Sequence, residues 1–272
     1  MKYHPYHLVD QSPWPIILSC GLLTIVLGII RLFNFNSVKL LLLGVFLSLG
    51  CALRWVTDIN DERNLGHHTN VVRKGFVVGF IIFIMSEILL FGGFFWSFFT
   101  NSLVPVLEIG MMWPPKSLIN PSPLGASTAG TALLLTSGAW LTAGHYSILW
   151  QWNPNRSEFY SFDEGMIYCL LYGELFVVIQ ACEYSMRPFT LSDSSLGCCF
   201  FMLTGLHGLH VLVGLSLLWL AFVRFDQGDY SYFTRHIGFE TAAWYWHFVD
   251  IVWLFVFRFI YAWSRGDVGG SF

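Results

Sequence analysis

The segment from Gly75 to Phe99 most constrains the fold, because its 25 residues contain a single charged side chain, Glu87. A transmembrane helix needs about 20 consecutive, mainly apolar residues. A charged side chain at the centre of a bilayer costs roughly 2.5–3.5 kcal/mol on insertion scales. The segment therefore predicts a membrane-spanning helix in which Glu87 is protonated, paired with another group or used in function.

The composition of the whole chain supports a membrane protein. Hydrophobic residues make up 55% of the sequence and charged residues 11%, whereas about a quarter of the residues in a soluble domain are charged. The net charge is −3, and Lys and Arg are scattered singly, which argues against a nucleic-acid partner. The six cysteines include no C-x-x-C pair, so we expect packed free thiols.

Seven apolar segments predict an all-α membrane protein with one polytopic domain over residues 1–272. The predicted spans cover about 15–33, 38–56, 75–99, 129–150, 165–186, 197–223 and 241–263. An odd number of spans places the termini on opposite sides of the membrane. Span ends on the N-terminal side carry eight Lys and Arg residues against five on the other side, which predicts an N-terminus on the cytoplasm-like or matrix side.

Span six contains two histidines, His207 and His210, three residues apart. This spacing puts them on neighbouring faces of one helical turn. The pair could ligate a metal or a haem, but two histidines from one helix leave such a site unfinished. No acidic residue lies in the neighbouring turns, so buried structural hydrogen bonding is favoured.

Span seven contains a polar stripe. At 100° per residue, Glu240, His247 and Arg258 lie within about 20° of one another, and Asp250 lies one step aside. We expect this stripe to face protein rather than lipid. His247 and Asp250 could hydrogen-bond at their i, i+3 spacing, and a structural bond is favoured over a proton relay.

Span five contains two acids, Glu174 and Glu183, which fall on opposite helix faces. Glu183 lies near the predicted membrane boundary and needs no special partner there. Glu174 lies deeper, so it needs a proton or a donor. His145 in span four is one candidate partner.

Several runs occur in a fixed order along the chain. They are Gly66-His67-His68-Thr69, Ser86-Glu87 through Phe94-Phe95-Trp96, Trp113-Pro114-Pro115, Pro188-Phe189-Thr190, Thr204-Gly205-Leu206-His207-Gly208-Leu209-His210-Val211, and Gly238-Phe239-Glu240 through Trp244-Tyr245-Trp246-His247-Phe248-Val249-Asp250. Their order and spacing resemble subunit III of cytochrome c oxidase in its mitochondrial form. The resemblance covers almost the whole chain.

The resemblance implies seven helices, with helices I–II separated by a V-shaped, phospholipid-filled cleft from the III–VII bundle. It implies an accessory core subunit of a complex that passes electrons from cytochrome c to oxygen and pumps protons. The subunit would pack mainly against subunit I, near subunit II and accessory subunits, and haem and copper would lie in these partners. The implied location is the mitochondrial inner membrane, or alternatively a bacterial cytoplasmic membrane.

The resemblance also implies roles for individual residues, with no catalytic residue and no metal ligand among them. Glu87 matches a buried acid associated with proton uptake, which this subunit would sustain while protecting the catalytic subunit. The other roles that the resemblance implies are proton collection by His4 and His7 and lipid headgroup binding by His68 and Arg224. The segment after the second span departs from the family pattern, so the family's headgroup arginine is either displaced to Arg63 or missing. The polar residues inside the spans are expected to form a buried structural network of His145, His207, His210, Glu240, His247 and Asp250.

Two other functional classes compete with this interpretation. A stand-alone proton or solute transporter would explain intramembrane acids, but we find no inverted pair of broken helices. A membrane haem or metal redox protein would use His207 and His210, but it should offer facing ligands at a comparable depth.

Overall fold

A computed structural model describes residues 6–107, 110–115, 124–150, 161–226 and 236–263, without the side chains of 149 and 150. The secondary structure of these ranges is helical. The helices are α1 (Trp14–Phe35), α2 (Lys39–Asn64), α3 (Asn70–Leu103), α4 (Ala126–Trp150), α5 (Phe162–Met186), α6 (Ser195–Asp226) and α7 (Ile237–Val256). A π-helical segment, Phe257–Ala262, continues α7. Each predicted span is therefore confirmed as a helix.

The largest difference from the predicted bounds lies between the second and third spans. The apolar pattern ends at Val56 and resumes at Gly75, yet α2 continues to Asn64 and α3 begins at Asn70. Hydropathy marks the part of a helix that can lie in lipid, whereas polar residues with adequate helix propensity extend the helix beyond it. The indole of Trp14 donates to the carboxylate of Asp58, so this polar extension also contacts the start of α1.

Six of the described helices, all except α4, are long and apolar enough to cross a membrane. The sequence of α4 is rich in Ala, Gly, Ser and Thr. Small residues let two helix backbones approach closely in a membrane protein. A Cβ atom on Gly165 of α5 would lie 2.8 Å from the Cα of Gly144 of α4. The lower hydropathy of α4 thus accompanies close packing against α5.

The chain divides into two compact units, residues 1–78 and 79–272. In the first unit, α1 and α2 pack directly against each other, as expected for a hairpin with a short connection. A Cβ atom on Gly28 would lie 2.5 Å from the Cα of Leu41, and one on Gly44 would lie 2.7 Å from the backbone nitrogen of Ile25. Glycine at both positions lets the two helices touch.

The second unit has an aromatic core. Trp246 is fully buried, and its indole donates to the Ser137 hydroxyl over 3.0 Å. That hydroxyl in turn donates to the Cys169 carbonyl over 2.9 Å, so one hydrogen-bonded chain joins α7, α4 and α5. Other fully buried large side chains include Phe98, Phe176, Phe200, Trp253 and Tyr261.

The cysteines are free thiols, as predicted. Burial is confirmed for Cys51, Cys169 and Cys199 only, whereas Cys20, Cys182 and Cys198 are exposed. A membrane protein can present an apolar thiol to lipid, so location in an apolar segment did not distinguish packed from exposed cysteines.

Candidate functional site

Glu87 of α3 and His210 of α6 form a contact in the second unit. The Nε2 atom of His210 lies 2.9 Å from Oε2 of Glu87, although the two residues are 123 positions apart in sequence. The exposed fractions of their side chains are 9% for His210 and 18% for Glu87. The sequence predicts that Glu87 needs a partner or a proton. In the structure the partner is His210, which the sequence did not identify.

The hydrogen bonds of His210 limit where the protons of this pair can lie. The Nδ1 atom lies 2.8 Å from the carbonyl oxygen of Leu206. A carbonyl oxygen can only accept, so Nδ1 carries a proton. A hydrogen bond between Nε2 and Glu87 then contains one proton, which belongs either to an imidazolium or to a neutral carboxyl group. We call this contact the Glu87–His210 pair.

Aromatic rings surround the Glu87–His210 pair. The ring centroid of Phe91 lies 5.0 Å from that of His210, Tyr245 stacks on His210 at 6.2 Å, and Phe248 approaches its edge at 6.4 Å. These rings leave few polar alternatives to the contact with Glu87. The low polarity of the surroundings therefore strengthens the hydrogen bond and raises the cost of losing either partner.

His207 is part of the helix packing. Its ring is 1% exposed, and Nε2 donates to the Val249 carbonyl over 3.2 Å, which joins α6 to α7. The ring also packs against Trp253 at 4.9 Å. The predicted structural role is thus supported for His207, while His210 contacts an acid from a distant helix. Because each histidine directs Nε2 to a different partner, the two do not form a common ligand set.

The polar stripe of α7 is less buried than predicted. His247 has an exposed side-chain fraction of 43%, and Arg258 is exposed. Bulky apolar residues, among them Trp246, Val249 and Trp253, occupy the buried face instead. Within this chain, the other helices leave Arg258 exposed, because apolar burial sets the rotation of the helix. The expectation that the stripe faces protein stays a prediction for the assembled complex.

Asp250 is buried, but it does not form the predicted hydrogen bond. Its Oδ2 atom lies 3.9 Å from Nδ1 of His247, which is too long for a direct hydrogen bond. Its Oδ1 atom is buried without a hydrogen-bond partner in the described structure. A Cβ atom on Gly138 of α4 would lie 2.5 Å from Oδ2, so glycine makes room for this carboxyl group.

His145 lies beside the start of α7. Its ring centroid is 6.1 Å from that of His236, and His236 contacts Glu240 over 2.9 Å. One ligand atom from each of these three residues lies within 4.8 Å of the others. Glu174, the partner considered for His145, is exposed on α5. Depth along the apolar segment did not distinguish the exposed side of α5 from its buried side.

Glu183 is the more buried acid of α5, which corrects the expectation that it needs no special partner. It accepts hydrogen bonds from Arg187, from the hydroxyl of Tyr261 over 3.2 Å and from the amide of Gln180 over 3.3 Å. The Arg187 guanidinium also lies 5.1 Å from the ring centroid of Phe200. The i, i+4 spacing of Glu183 and Arg187 was the signal that could have revealed this contact.

In the first unit, Glu62 lies between two of the predicted site histidines. Its Oε2 atom is 3.3 Å from Nε2 of His7 and 3.8 Å from Nε2 of His68. Burial lowers the pKa of the His68 imidazole, His7 lowers it further, and Glu62 opposes both effects. His4 lies outside the described residues.

The two arginines predicted to bind headgroups lie at helix ends. Arg63 is in the last turn of α2, where it donates to the Asn64 side chain over 3.3 Å. Arg224 is in the last turn of α6. A Cβ atom on Gly238 of α7 would lie 3.6 Å from a guanidinium nitrogen of Arg224.

Comparisons with known proteins cover nearly the full chain. The family model of cytochrome c oxidase subunit III matches residues 4–265. Cytochrome c oxidase subunit 3 of Drosophila melanogaster is 41% identical over 262 residues, which cover 96% of this chain and 97% of that protein. The proteins of the same name from Damaliscus lunatus and Patiria pectinifera are 42% and 44% identical over 96% of this chain and 98% of their own lengths.

Proposed function

The chain belongs to the cytochrome c oxidase subunit III family and is thus a multi-pass membrane subunit of the respiratory cytochrome c oxidase complex, and we propose that it is an accessory subunit without catalytic residues or a redox centre. In this role it supports proton uptake and protects the catalytic subunit during turnover. The Glu87–His210 pair carries the proposal, because it places a carboxyl group and an imidazole, two groups that can share a proton, 2.9 Å apart beside an aromatic ring. The relatives give no support to a stand-alone transporter.

We propose that haem and copper lie in partner subunits and that subunit I is the main contact, with subunit II and accessory subunits nearby. In the described part of the chain, both histidines of α6 direct Nε2 to protein groups, which supports the absence of a haem ligand there. Large apolar side chains such as Leu89 and Trp96 are more than three-quarters exposed on α3. These faces suit lipid or other subunits. The bias of basic residues supports an N-terminus on the matrix side of the mitochondrial inner membrane.

We further propose that phospholipids fill a V-shaped cleft between the α1–α2 pair and the bundle of α3–α7. In this proposal, Arg63 and Arg224 bind the headgroups of these phospholipids. Basic residues at helix ends attract anionic headgroups by about 1 kcal/mol each. His68 was a third candidate for headgroup binding, but its imidazole faces the Glu62 carboxylate. We therefore expect a smaller lipid contribution from His68 than from the two arginines.

Replacing Arg63 and Arg224 together with Ala should deplete tightly bound phospholipid from the purified complex. The loss of each guanidinium removes one favourable charge contact with a lipid headgroup. The combined loss of about 2 kcal/mol corresponds to roughly thirtyfold weaker retention of the phospholipid. Phosphorus analysis after detergent washing measures the effect. Arg31→Ala is the control, because Arg31 is an exposed arginine of α1 that lies before the last turn of the helix. Unchanged lipid content in the double variant would refute the assignment.

Replacing Glu87 with Gln tests the proposed link to proton uptake. The glutamine amide can donate to Nε2 of His210, so the subunit should remain in the complex, but it cannot release the carboxyl proton. We expect an initial turnover rate within about twofold of the wild type and about tenfold fewer turnovers before inactivation. This effect is smaller than the roughly 10²–10⁴-fold contribution of a group that transfers a proton in the chemical step itself.

Glu174→Gln is the control for this experiment, because Glu174 is an exposed acid on another helix. It should leave both quantities at their wild-type values. A Glu87→Gln complex with a wild-type catalytic lifetime would overturn the proposed link. Loss of the subunit from that complex would show instead that the charge of Glu87 is structural.

A further inference from the structure

Three chain segments bring His7, Glu62 and His68 together within the first unit. His7 belongs to the N-terminal segment before α1, Glu62 to the last turn of α2, and His68 to the connection between α2 and α3. One ligand atom from each side chain lies within 4.8 Å of the other two. We propose that these residues bind a divalent transition-metal ion, for which Zn²⁺ is the best fit.

The donor set is the first argument for this site. Two imidazoles and one carboxylate, with a remaining position for water, are a ligand combination that Zn²⁺ uses in proteins. Calcium and magnesium prefer oxygen ligands, so the two nitrogen donors disfavour both of those ions. Zinc has no redox chemistry, so the proposal is consistent with a subunit that carries no redox centre.

The distances are the second argument. Tetrahedral zinc with bonds of 2.0–2.1 Å places neighbouring ligand atoms about 3.3 Å apart. The separation of 3.3 Å between His7 and Glu62 already meets this value, and the separation of 3.8 Å between His68 and Glu62 exceeds it by half an ångström. Small side-chain rotations would close the remaining difference without movement of a helix.

The orientation of the rings is the third argument. Phe76 meets both imidazoles edge to face, with centroids 5.3 Å from His7 and 5.2 Å from His68. It therefore forms an apolar wall beside the two rings. The Nε2 atom of His68 is buried and lacks a hydrogen-bond partner. The exposed fraction of His7 is 29%, which leaves access for an ion and a water ligand.

Arg63 lies next to Glu62, and its positive charge acts on His68. This charge opposes cation binding, so we expect weaker affinity than at a closed structural site with four protein ligands. Zinc at this site would join the N-terminal segment to the connection between α2 and α3. The site would thus restrain residues that precede the first membrane span.

Zinc binding to the intact purified oxidase complex tests the proposal. The complex is dialysed against a series of concentrations of radioactive zinc, and bound zinc per complex is counted. Variants His7→Gln, Glu62→Gln and His68→Gln should each lose one bound zinc or bind it with affinity weakened more than about 10–100-fold, the range for changes in residues that only hydrogen-bond to a metal ligand. His67→Gln is the matched control, because His67 is adjacent and exposed.

Zinc held elsewhere, including any at His145, His236 and Glu240, is common to all variants and cancels in the comparison. The His7→Gln variant protects the test from folding failure, because His7 precedes α1. Equal zinc stoichiometry and affinity in the wild type and His7→Gln would overturn the proposal. An equal loss of zinc from His67→Gln and His68→Gln would overturn it as well.

Discussion

A His210→Leu substitution should destabilise the fold of this subunit by about 3–5 kcal/mol, the scale for removing one partner of a buried pair, so the subunit should leave the oxidase complex at a lower temperature. Leucine fills part of the imidazole volume but supplies no hydrogen bond to Glu87. The carboxyl group would then lose its partner beside the rings that pack against His210, which are Phe91, Tyr245 and Phe248. Protonation of Glu87 can lower this cost but cannot restore the lost hydrogen bond.

The double variant Glu87→Leu/His210→Leu should recover most of the lost stability. Replacing both members of a buried pair with apolar residues is often neutral or stabilising. The measurement is the fraction of complex that retains the subunit after a graded thermal challenge in detergent. Wild type, both single variants and the double variant form a complete double-mutant cycle. A double variant as unstable as the sum of the single variants would contradict the proposed pairing.

The sequence predicted the seven helices because apolar length has a simple physical requirement in a bilayer. It did not predict where the helices end, because the polar residues from Asp58 to Asn64 remain helical outside the apolar stretch. It also misjudged α5. Depth in the apolar segment suggested that Glu174 needed a partner, whereas the rotation of the helix buries Glu183 and leaves Glu174 exposed.

The candidate site was only partly predictable. The single charge in the third span identified Glu87 as a residue that needed an explanation, and the spacing of His207 and His210 identified their helical turn. Their different partners depend on how α3, α6 and α7 pack, which local periodicity does not encode. Similarly, His7 and His68 were given separate roles, and only the folded chain shows that both contact Glu62.

Removal of this subunit from the purified oxidase should have a large effect on catalytic lifetime and none on metal content. The Nε2 atoms of His207 and His210 contact protein groups, so neither of these two atoms is available to ligate haem. The complex without the subunit should therefore keep its haem and copper. It should inactivate after far fewer turnovers, because the proposed support of proton uptake is lost.

The absence of a redox centre from this subunit can be tested by the distribution of haem and copper after the subunit is released with detergent and separated from the remaining complex. Absorption spectra and elemental analysis of both fractions provide the measurement. We expect a colourless subunit without copper, and a remaining complex with its original haem-to-copper ratio. Haem or copper recovered with the released subunit in a one-to-one ratio would contradict this expectation.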